Sequence, residues 1–248
     1  MKLIKNLKIQ IYADVASEDD INYFSAVPYI KGFTTNPSLL KKAGIKNYQG
    51  IALKASKLAK DKSISFEVVS DTEERILEEA YTIASWGKNV FVKIPFLKTD
   101  GSDNSSIINT LAKNDVNLNV TAILTLEQVK KVADCANPNT PLIVSVFAGR
   151  IADTGVDPEP IMKEAKELLK HLPKAEILWA SSREIFNVMQ AEHCGCDIIT
   201  LTSDLLGKFK LWGMDLTEYS RQTAEMFYND AKSAGLVIDV DSTFKNVA

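Results

Sequence analysis

Short hydrophobic runs alternate along the chain with longer segments in which apolar and polar residues are mixed, and this alternation predicts strands followed by helices. Eight runs are nearly continuous in apolar and β-branched residues, as buried parallel strands are. Between them, segments such as Thr72–Trp86 and Glu159–His171 place apolar residues three and four positions apart, which is typical of amphipathic helices. The predicted strands are Ile9–Ala13, Gly32–Thr35, Ile64–Val69, Val90–Ile94, Leu118–Ile123, Leu142–Phe147, Ile177–Ala180 and Ile198–Leu201.

This order of elements predicts an α/β fold, a (β/α)8 TIM barrel. The alternative is an open doubly wound sheet, which usually carries a glycine-rich turn after its first strand, and Ile11–Val15 contains no such turn. No linker rich in Pro, Gly or Ser divides the 248 residues. We therefore expect a single domain over residues 1–248, with a C-terminal helical tail at about Leu216–Leu236.

Composition and charge narrow the possible partners. The chain has 29 Lys and Arg against 32 Asp and Glu, and no basic block that would suit a nucleic-acid backbone. Its apolar runs are far shorter than the roughly 20 residues of a membrane-spanning helix. The start of the chain does not resemble a secretory signal, and three cysteines do not make a disulfide framework. We expect a cytoplasmic protein that binds neither nucleic acid nor membrane.

Polar residues interrupt or end the predicted strands at the points where a barrel of this type places its active site. Thr and Ser in strands commonly bond to the backbone, and this structural interpretation stays open for Thr35 and Ser145. Burying several ionisable groups together without a function is costly, so the set as a whole indicates a site. Its members are Asp14, Thr35, Asn36, Glu67, Lys93, Asn119, Thr121, Ser145 and Ser181.

Lys93 is the most informative of these residues, because it lies inside the apolar strand Val90–Ile94. Lysine is almost never fully buried without a partner. Burial and neighbouring cations lower the pKa of an ammonium group and yield a free amine that attacks carbonyl groups. The alternative is a structural ion pair with Glu67 or Asp14. The two interpretations are compatible, since a carboxylate beside such a lysine also serves as an acid or base.

Arginine is scarce, and two of the four arginines, Arg150 and Arg183, follow the sixth and seventh predicted strands. Late strand–helix loops of a barrel commonly bind phosphate, and the planar guanidinium suits that anion. We therefore expect an anionic, phosphorylated substrate. The alternative is that both are surface residues at helix starts.

A possible metal motif is His193-Cys194-Gly195-Cys196, with His171 as the only other histidine. The tract precedes a strand, which places it at the end of the barrel away from the expected site. We predict no metal site and no cofactor. Neither histidine lies near a strand end, so a Ser/His or Cys/His nucleophile has no base.

Two motifs resemble those of the transaldolases in their short-chain form. Thr34-Thr35-Asn36-Pro37-Ser38-Leu39-Leu40 is similar to the family's second-strand signature, and Val92-Lys93-Ile94-Pro95 to its Schiff-base lysine motif. Three later segments are similar to family motifs in the same order, and the resemblance extends over roughly Lys8–Leu236. These segments are Asn119-Val120-Thr121, Ser145-Val146-Phe147-Ala148-Gly149-Arg150 and Ala180-Ser181-Ser182-Arg183.

The resemblance implies a metal-free class I mechanism on a circularly permuted barrel whose lysine lies on the fourth strand. Lys93 would form an imine with a ketose phosphate, Asp14 would act as general acid and base, and Glu67 with Thr121 would manage a catalytic water. Substrate binding would involve Thr35, Asn36, Asn119, Ser145, Phe147, Arg150, Ser181 and Arg183. Within that set, Asn36 and Asn119 would hold hydroxyls and the lysine nitrogen, while Arg150, Ser181 and Arg183 would hold the phosphate.

The resemblance also implies a homo-oligomer, because family members often form rings through a C-terminal helix. This chain would build that contact with Leu216, Tyr219, Met226 and Phe227. The alternative is that this helix packs on its own barrel.

Three functional interpretations follow, and the first is reaction of an ordinary sugar phosphate, by transfer or by simple cleavage. Fructose 6-phosphate aldolases of the same family typically carry Gln and Tyr where this chain has Glu67 and Phe147, and these two positions favour transfer over simple cleavage. Val146 and Ser182 depart from the usual pattern beside the expected anion site, which keeps a sulfonated or otherwise modified sugar open. The third reading is a non-catalytic barrel that binds sugar phosphates, and the intact set of polar residues argues against it.

Overall fold

The computed structural model describes residues 7–238, and their eight parallel strands close into one barrel in chain order. This confirms the predicted (β/α)8 fold. Each predicted apolar run overlaps one strand. The largest differences are at three strands. β2 (Ile30–Thr34) and β7 (Ala175–Trp179) begin two residues earlier than predicted because Lys31 and Glu176 interrupt the apolar pattern, and β3 (Ser63–Glu67) ends two residues earlier than predicted. The strands are β1 Gln10–Asp14, β2 Ile30–Thr34, β3 Ser63–Glu67, β4 Val90–Pro95, β5 Leu118–Ile123, β6 Leu142–Val146, β7 Ala175–Trp179 and β8 Ile198–Thr202.

Helices connect the strands. The predicted amphipathic segments Thr72–Trp86 and Glu159–His171 contain most of α4 (Glu73–Ala84) and α8 (Pro158–Leu168). Local sequence fixes several helix starts: the side chain of Asn36 accepts a hydrogen bond from the Leu39 N–H at the start of α2, and Thr125 forms a capping box at the start of α6. A 3-10 turn occupies Lys208–Leu211. The helices are α1 Glu18–Ser25, α2 Pro37–Lys42, α3 Tyr48–Leu58, α4 Glu73–Ala84, α5 Ser105–Lys113, α6 Leu126–Cys135, α7 Ala148–Asp153, α8 Pro158–Leu168, α9 Asn187–His193, α10 Ser203–Gly207 and α11 Leu216–Ser233.

Strand register places the polar residues of neighbouring strands side by side. Glu67 on β3 pairs with Lys93 on β4, and Lys93 pairs in turn with Asn119 on β5. Apolar residues fill part of the barrel interior, among them Tyr12, Ile143 and Leu178. The parallel register therefore brings the strand-end residues to one rim of the barrel.

The chain divides into two compact units, Met1–Phe209 and Lys210–Ala248. The first unit contains the barrel. In the second, α11 begins where the Asp215 side chain accepts a hydrogen bond from the Glu218 N–H, and none of its residues is buried. The expectation of one domain stays a prediction. Within residues 7–238, no helix is both long enough and apolar enough to cross a membrane.

Candidate active site

A cavity of about 420 Å³ lies at the carboxyl ends of the strands. Nine of the twelve residues that the sequence nominated line it, while Thr35, Asn119 and Arg183 do not. The nine are Asp14, Asn36, Glu67, Lys93, Thr121, Ser145, Phe147, Arg150 and Ser181.

Lys93 is buried, with 6% of its surface exposed, and it has two partners. Its Nζ lies 2.9 Å from Oε2 of Glu67 and donates a hydrogen bond of 2.9 Å to the backbone carbonyl of Thr35. The predicted ion pair with Glu67 is therefore present. An ammonium group has three N–H donors, so these two partners leave one position of the nitrogen for a ligand in the cavity.

Asp14 is held through both of its carboxyl oxygens. Oδ1 accepts a hydrogen bond of 2.8 Å from Oγ1 of Thr34, and Oδ2 accepts one of 3.0 Å from Nδ2 of Asn36. Burial raises the pKa of Asp14 above its ordinary value, although Lys93 and the two hydrogen bonds act in the opposite direction. A carboxyl group with a raised pKa and a fixed orientation suits acid–base chemistry.

A bulge in β5 aims Thr121 into the cavity. The register between β5 and β6 shifts between Val120 and Ile123, and Ala122 has a left-handed φ of 58°. Bulges of this kind re-aim side chains beside active sites. The Oγ1 of Thr121 is buried and has no hydrogen-bond partner among residues 7–238. A water or a substrate atom would satisfy this hydroxyl.

Asn119 lies behind the cavity wall and orients a residue that lines it. Its Nδ2 donates to Oγ of Ser65 at 2.9 Å, and its Oδ1 accepts from Oγ of Ser145 at 2.7 Å. Thr35 is also outside the cavity, and its hydroxyl donates to the backbone carbonyl of Ser65 at 2.9 Å. The Thr35 hydroxyl therefore bonds to the backbone, as the structural interpretation expects, whereas the Ser145 hydroxyl donates to a side chain.

The two arginines lie in neighbouring cavities. Arg150 lines the main cavity, with its guanidinium carbon 5.5 Å from the centre of the Phe147 ring. Arg183 lines an adjoining cavity of about 280 Å³, to which Lys42 also contributes. It forms hydrogen bonds to both carboxylate oxygens of Asp153. Two separate positively charged groups therefore lie near the rim of the barrel.

Ser181 lines both cavities and adopts a strained backbone conformation, with a φ of 63°. Gly149 packs directly against it, because a Cβ atom at position 149 would lie 1.7 Å from the Ser181 carbonyl oxygen. Only glycine allows this approach of α7 to the loop after β7.

Sequence reasoning missed four residues that contact the site. Thr34 and Thr200 have their hydroxyl oxygens 2.6 Å apart beside Asp14, and Ser65 accepts from Asn119. Tyr48 on α3 donates a hydrogen bond of 2.9 Å to the Glu67 carbonyl. Thr200 interrupts an apolar strand as the nominated residues do, so the same signal would have found it. No sequence signal marks Tyr48.

Cys194 and Cys196 directly precede β8, at the end of the barrel opposite the main cavity. Burial raises the pKa of the Cys194 thiol to about 11. Within residues 7–238, no three His, Cys, Asp or Glu side chains are arranged so that they would hold a metal ion.

The fold and the cavity define a (β/α)8-barrel protein whose polar site is built from strand-end residues around a buried lysine. The family model for Transaldolase/Fructose-6-phosphate aldolase matches residues 11–247, and the chain belongs to this family.

Several proteins named as probable transaldolases are similar to this chain over most of its length. A probable transaldolase 2 from Listeria monocytogenes is 30% identical over 211 residues, which are 85% of this chain and 91% of that protein. A probable transaldolase from a Thermoanaerobacter species is 30% identical over 233 residues, or 93% of this chain and 100% of that protein. One from Nitrosopumilus maritimus is 31% identical over 202 residues, or 81% of this chain and 86% of that protein.

Proposed function

We propose that this protein is a cytoplasmic transaldolase of the pentose phosphate pathway. It transfers a dihydroxyacetone unit from a ketose phosphate, such as sedoheptulose 7-phosphate or fructose 6-phosphate, to an aldose phosphate, through a Schiff base on Lys93. One observation carries the proposal: Lys93, within β4, is buried with its amine between the Glu67 carboxylate and the Thr35 carbonyl, and it lines the main cavity.

The first step needs Lys93 as a free amine. Glu67, 2.9 Å from Nζ, is placed to accept the ammonium proton. The amine then adds to the ketone carbon of the donor, and loss of water gives the imine. The hydroxyl of Thr121, which has no hydrogen-bond partner in the described part of the chain, binds that water together with Glu67.

Cleavage follows on the imine. Asp14 takes the proton from the hydroxyl on the fourth carbon, the bond between the third and fourth carbons breaks, and the aldehyde leaves. The bonding electrons move into the imine and give an enamine, which an aldehyde acceptor attacks by the reverse sequence. Asp14 is suited to both directions because burial raises its pKa and two donors fix its oxygens.

The remaining residues bind the sugar. Asn36 and Ser145 line the cavity and bind the hydroxyls of the three-carbon unit, while Asn119 orients Ser145 from behind. Arg150 and Ser181 bind the phosphate, and Arg183 acts from the adjoining cavity that shares Ser181.

The alternative functions are acceptor-free aldol cleavage and transfer of a modified sugar. Glu67 and Phe147 favour transfer, because the fructose 6-phosphate aldolases that this chain resembles typically carry Gln and Tyr at these positions. The adjoining cavity, lined by Ser182, Lys42 and Arg183, leaves room for an anionic group other than phosphate. A purely binding role is disfavoured by the paired Lys93 and Glu67 and by the doubly held Asp14.

We also infer a homo-oligomer that uses α11. Apolar residues recur along this helix and are exposed, including Leu216 at 81% and Phe227 at 63%. Exposed apolar stripes of this kind mark interfaces.

Borohydride trapping with fructose 6-phosphate or sedoheptulose 7-phosphate tests the proposal. We expect the Lys93 peptide to gain a reduced three-carbon adduct, detected by mass spectrometry, and turnover to require erythrose 4-phosphate. Lys93→Met should lose both, whereas Lys54→Met should keep both, because Lys54 is an exposed lysine paired with Glu18.

Two results would overturn the proposal in different ways. Fast release of free dihydroxyacetone without an acceptor would replace transfer by aldol cleavage. An unmodified Lys93 with both donors would remove the Schiff-base mechanism.

A further inference from the structure

Two buried threonines form a hydroxyl chain that ends on Asp14. Thr34 Oγ1 lies 2.8 Å from Asp14 Oδ1 and 2.6 Å from Thr200 Oγ1. Thr34 on β2 is the register partner of Asp14 on β1, and Thr200 on β8 pairs with Tyr12, two residues before Asp14. Thr200 also lines the two cavities, so the chain connects the carboxyl group to the substrate space.

Hydrogen-bond chemistry makes this chain directional. Each hydroxyl has one hydrogen to donate, and an ionised carboxylate only accepts. When Asp14 is ionised, Thr34 must therefore donate to Oδ1, and Thr200 must donate to Thr34. When Oδ1 carries a proton, Asp14 donates to Thr34, Thr34 donates to Thr200, and the Thr200 hydrogen turns toward the cavity.

We propose that Thr200 is a positioning residue, which acts through Thr34 to let the hydrogen bonds of Asp14 reverse when Asp14 gains or loses its proton. No covalent bond changes within the chain, since both hydroxyl groups keep a hydrogen and rotate. The inference rests on the proposed function, in which Asp14 takes up a proton when the carbon–carbon bond breaks and returns it when the new bond forms.

Other charged groups also face Asp14 and set the background of its titration. Lys93 on β4 favours the ionised form, and Glu67 on β3 opposes it. Arg150 lines the same cavity, and Lys42 and Arg183 line the adjoining cavity together with Asp14. The threonines differ from these groups because they are uncharged, so replacing them leaves the local charge unchanged.

The two threonines are expected to shift the titration of Asp14 in opposite directions. Thr34→Val removes a donor to the ionised carboxylate and an acceptor for the protonated carboxyl group. The charge-assisted bond to the carboxylate is the stronger of the two, so its loss raises the pKa of Asp14. Thr200→Val leaves the Thr34 hydroxyl without an acceptor when Asp14 is protonated, which disfavours that form and lowers the pKa. A shift of about one pH unit corresponds to a buried donor that loses its acceptor.

The experiment is an infrared pH titration of the protonated carboxyl band of Asp14, identified by its absence in Asp14→Asn. It requires no substrate. We expect a lower midpoint in Thr200→Val, a midpoint close to that of the unaltered protein in Thr200→Ser, and a higher midpoint in Thr34→Val. Thr140→Val is the matched control, because Thr140 is also buried and bonded, to the Ala112 carbonyl at 2.8 Å, away from the cavity. It should leave the midpoint unchanged.

An unshifted midpoint in Thr200→Val, an equal shift in Thr200→Ser, or shifts of the same sign in both valine variants would overturn the inference. If Thr200→Val fails to fold, Thr200→Ala takes its place, because it also removes the hydroxyl; the same lower midpoint is expected, and an unshifted midpoint would overturn the inference. Because trapping at Lys93 is measured separately, loss of the adduct with opposite shifts retained would overturn the proposed function alone.

Discussion

Oε2 of Glu67 lies 2.9 Å from Nζ of Lys93, because register pairs these two residues on neighbouring strands β3 and β4. Both side chains are largely buried, with 15% and 8% of their surface exposed. Removing charges from water is costly, and a buried pair is weak evidence for stabilisation. The proposed catalytic role of Lys93 accounts for such a pair inside a polar cavity better than a contribution to stability does.

Replacing Glu67 and Phe147 together should shift the reaction from transfer toward simple cleavage. In Glu67→Gln/Phe147→Tyr, the glutamine keeps a hydrogen bond to Lys93 without drawing its proton, and the tyrosine hydroxyl adds a polar group to the cavity. We expect release of dihydroxyacetone without acceptor to rise relative to transfer, as measured by coupled assays with and without erythrose 4-phosphate. Glu78→Gln, at an exposed glutamate of α4, is the control. Equal changes in release and transfer would contradict this expectation.

Gly149 should not tolerate a side chain. Gly149→Ala places a Cβ atom against the Ser181 carbonyl, so the loop after β7 must move. We expect a loss of about 1–3 kcal/mol in the free energy of unfolding, measured with urea, and a fall in turnover. Gly207→Ala is the matched control in α10, where an added Cβ meets nothing within 4 Å. Equal stability of the two variants would show that the contact has no energetic weight.

Asp14 should make stability depend on pH. Its pKa is raised in the folded protein by burial, so the folded state binds more protons than the unfolded state between the two pKa values. Stability contributed by this group is therefore present at low pH and is lost as pH rises from the unfolded value of about 3.9 toward the folded value.

Asp14→Asn should remove this component of the pH dependence and be more stable than the unaltered protein at neutral pH. The measurement is thermal or urea unfolding across this pH range. Asp61→Asn provides a control at a carboxyl outside the cavity. A pH dependence that is the same in Asp14→Asn and in the unaltered protein would contradict the prediction.

The proposed oligomer should depend on the exposed apolar residues of α11. Leu216→Ser/Phe227→Ser removes two of them, and we expect a smaller particle mass in size-exclusion chromatography with light scattering. Val156→Ser alters another exposed apolar residue, outside α11, and should leave the mass unchanged. An unchanged mass in the double variant would exclude this helix as the interface.

The eight strands could be predicted from the amino-acid pattern alone, because nearly continuous apolar runs are the direct signature of a sheet that is covered on both faces. The same pattern also predicts most of the residues that line the main cavity. A polar residue within or at the end of an apolar strand is a local signal, and this signal nominates Asp14, Glu67 and Lys93, which all line one cavity.

Which polar residues face the cavity and which lie behind its wall depends on contacts between elements that are distant in the chain. Asn119 contacts Ser145, and Tyr48 reaches Glu67, through hydrogen bonds between separate elements. Thr34 and Thr200 meet because closure of the barrel brings both β2 and β8 beside β1. These contacts depend on barrel closure, strand register and side-chain direction. They join residues that are far apart in the chain, so no local sequence pattern indicates them.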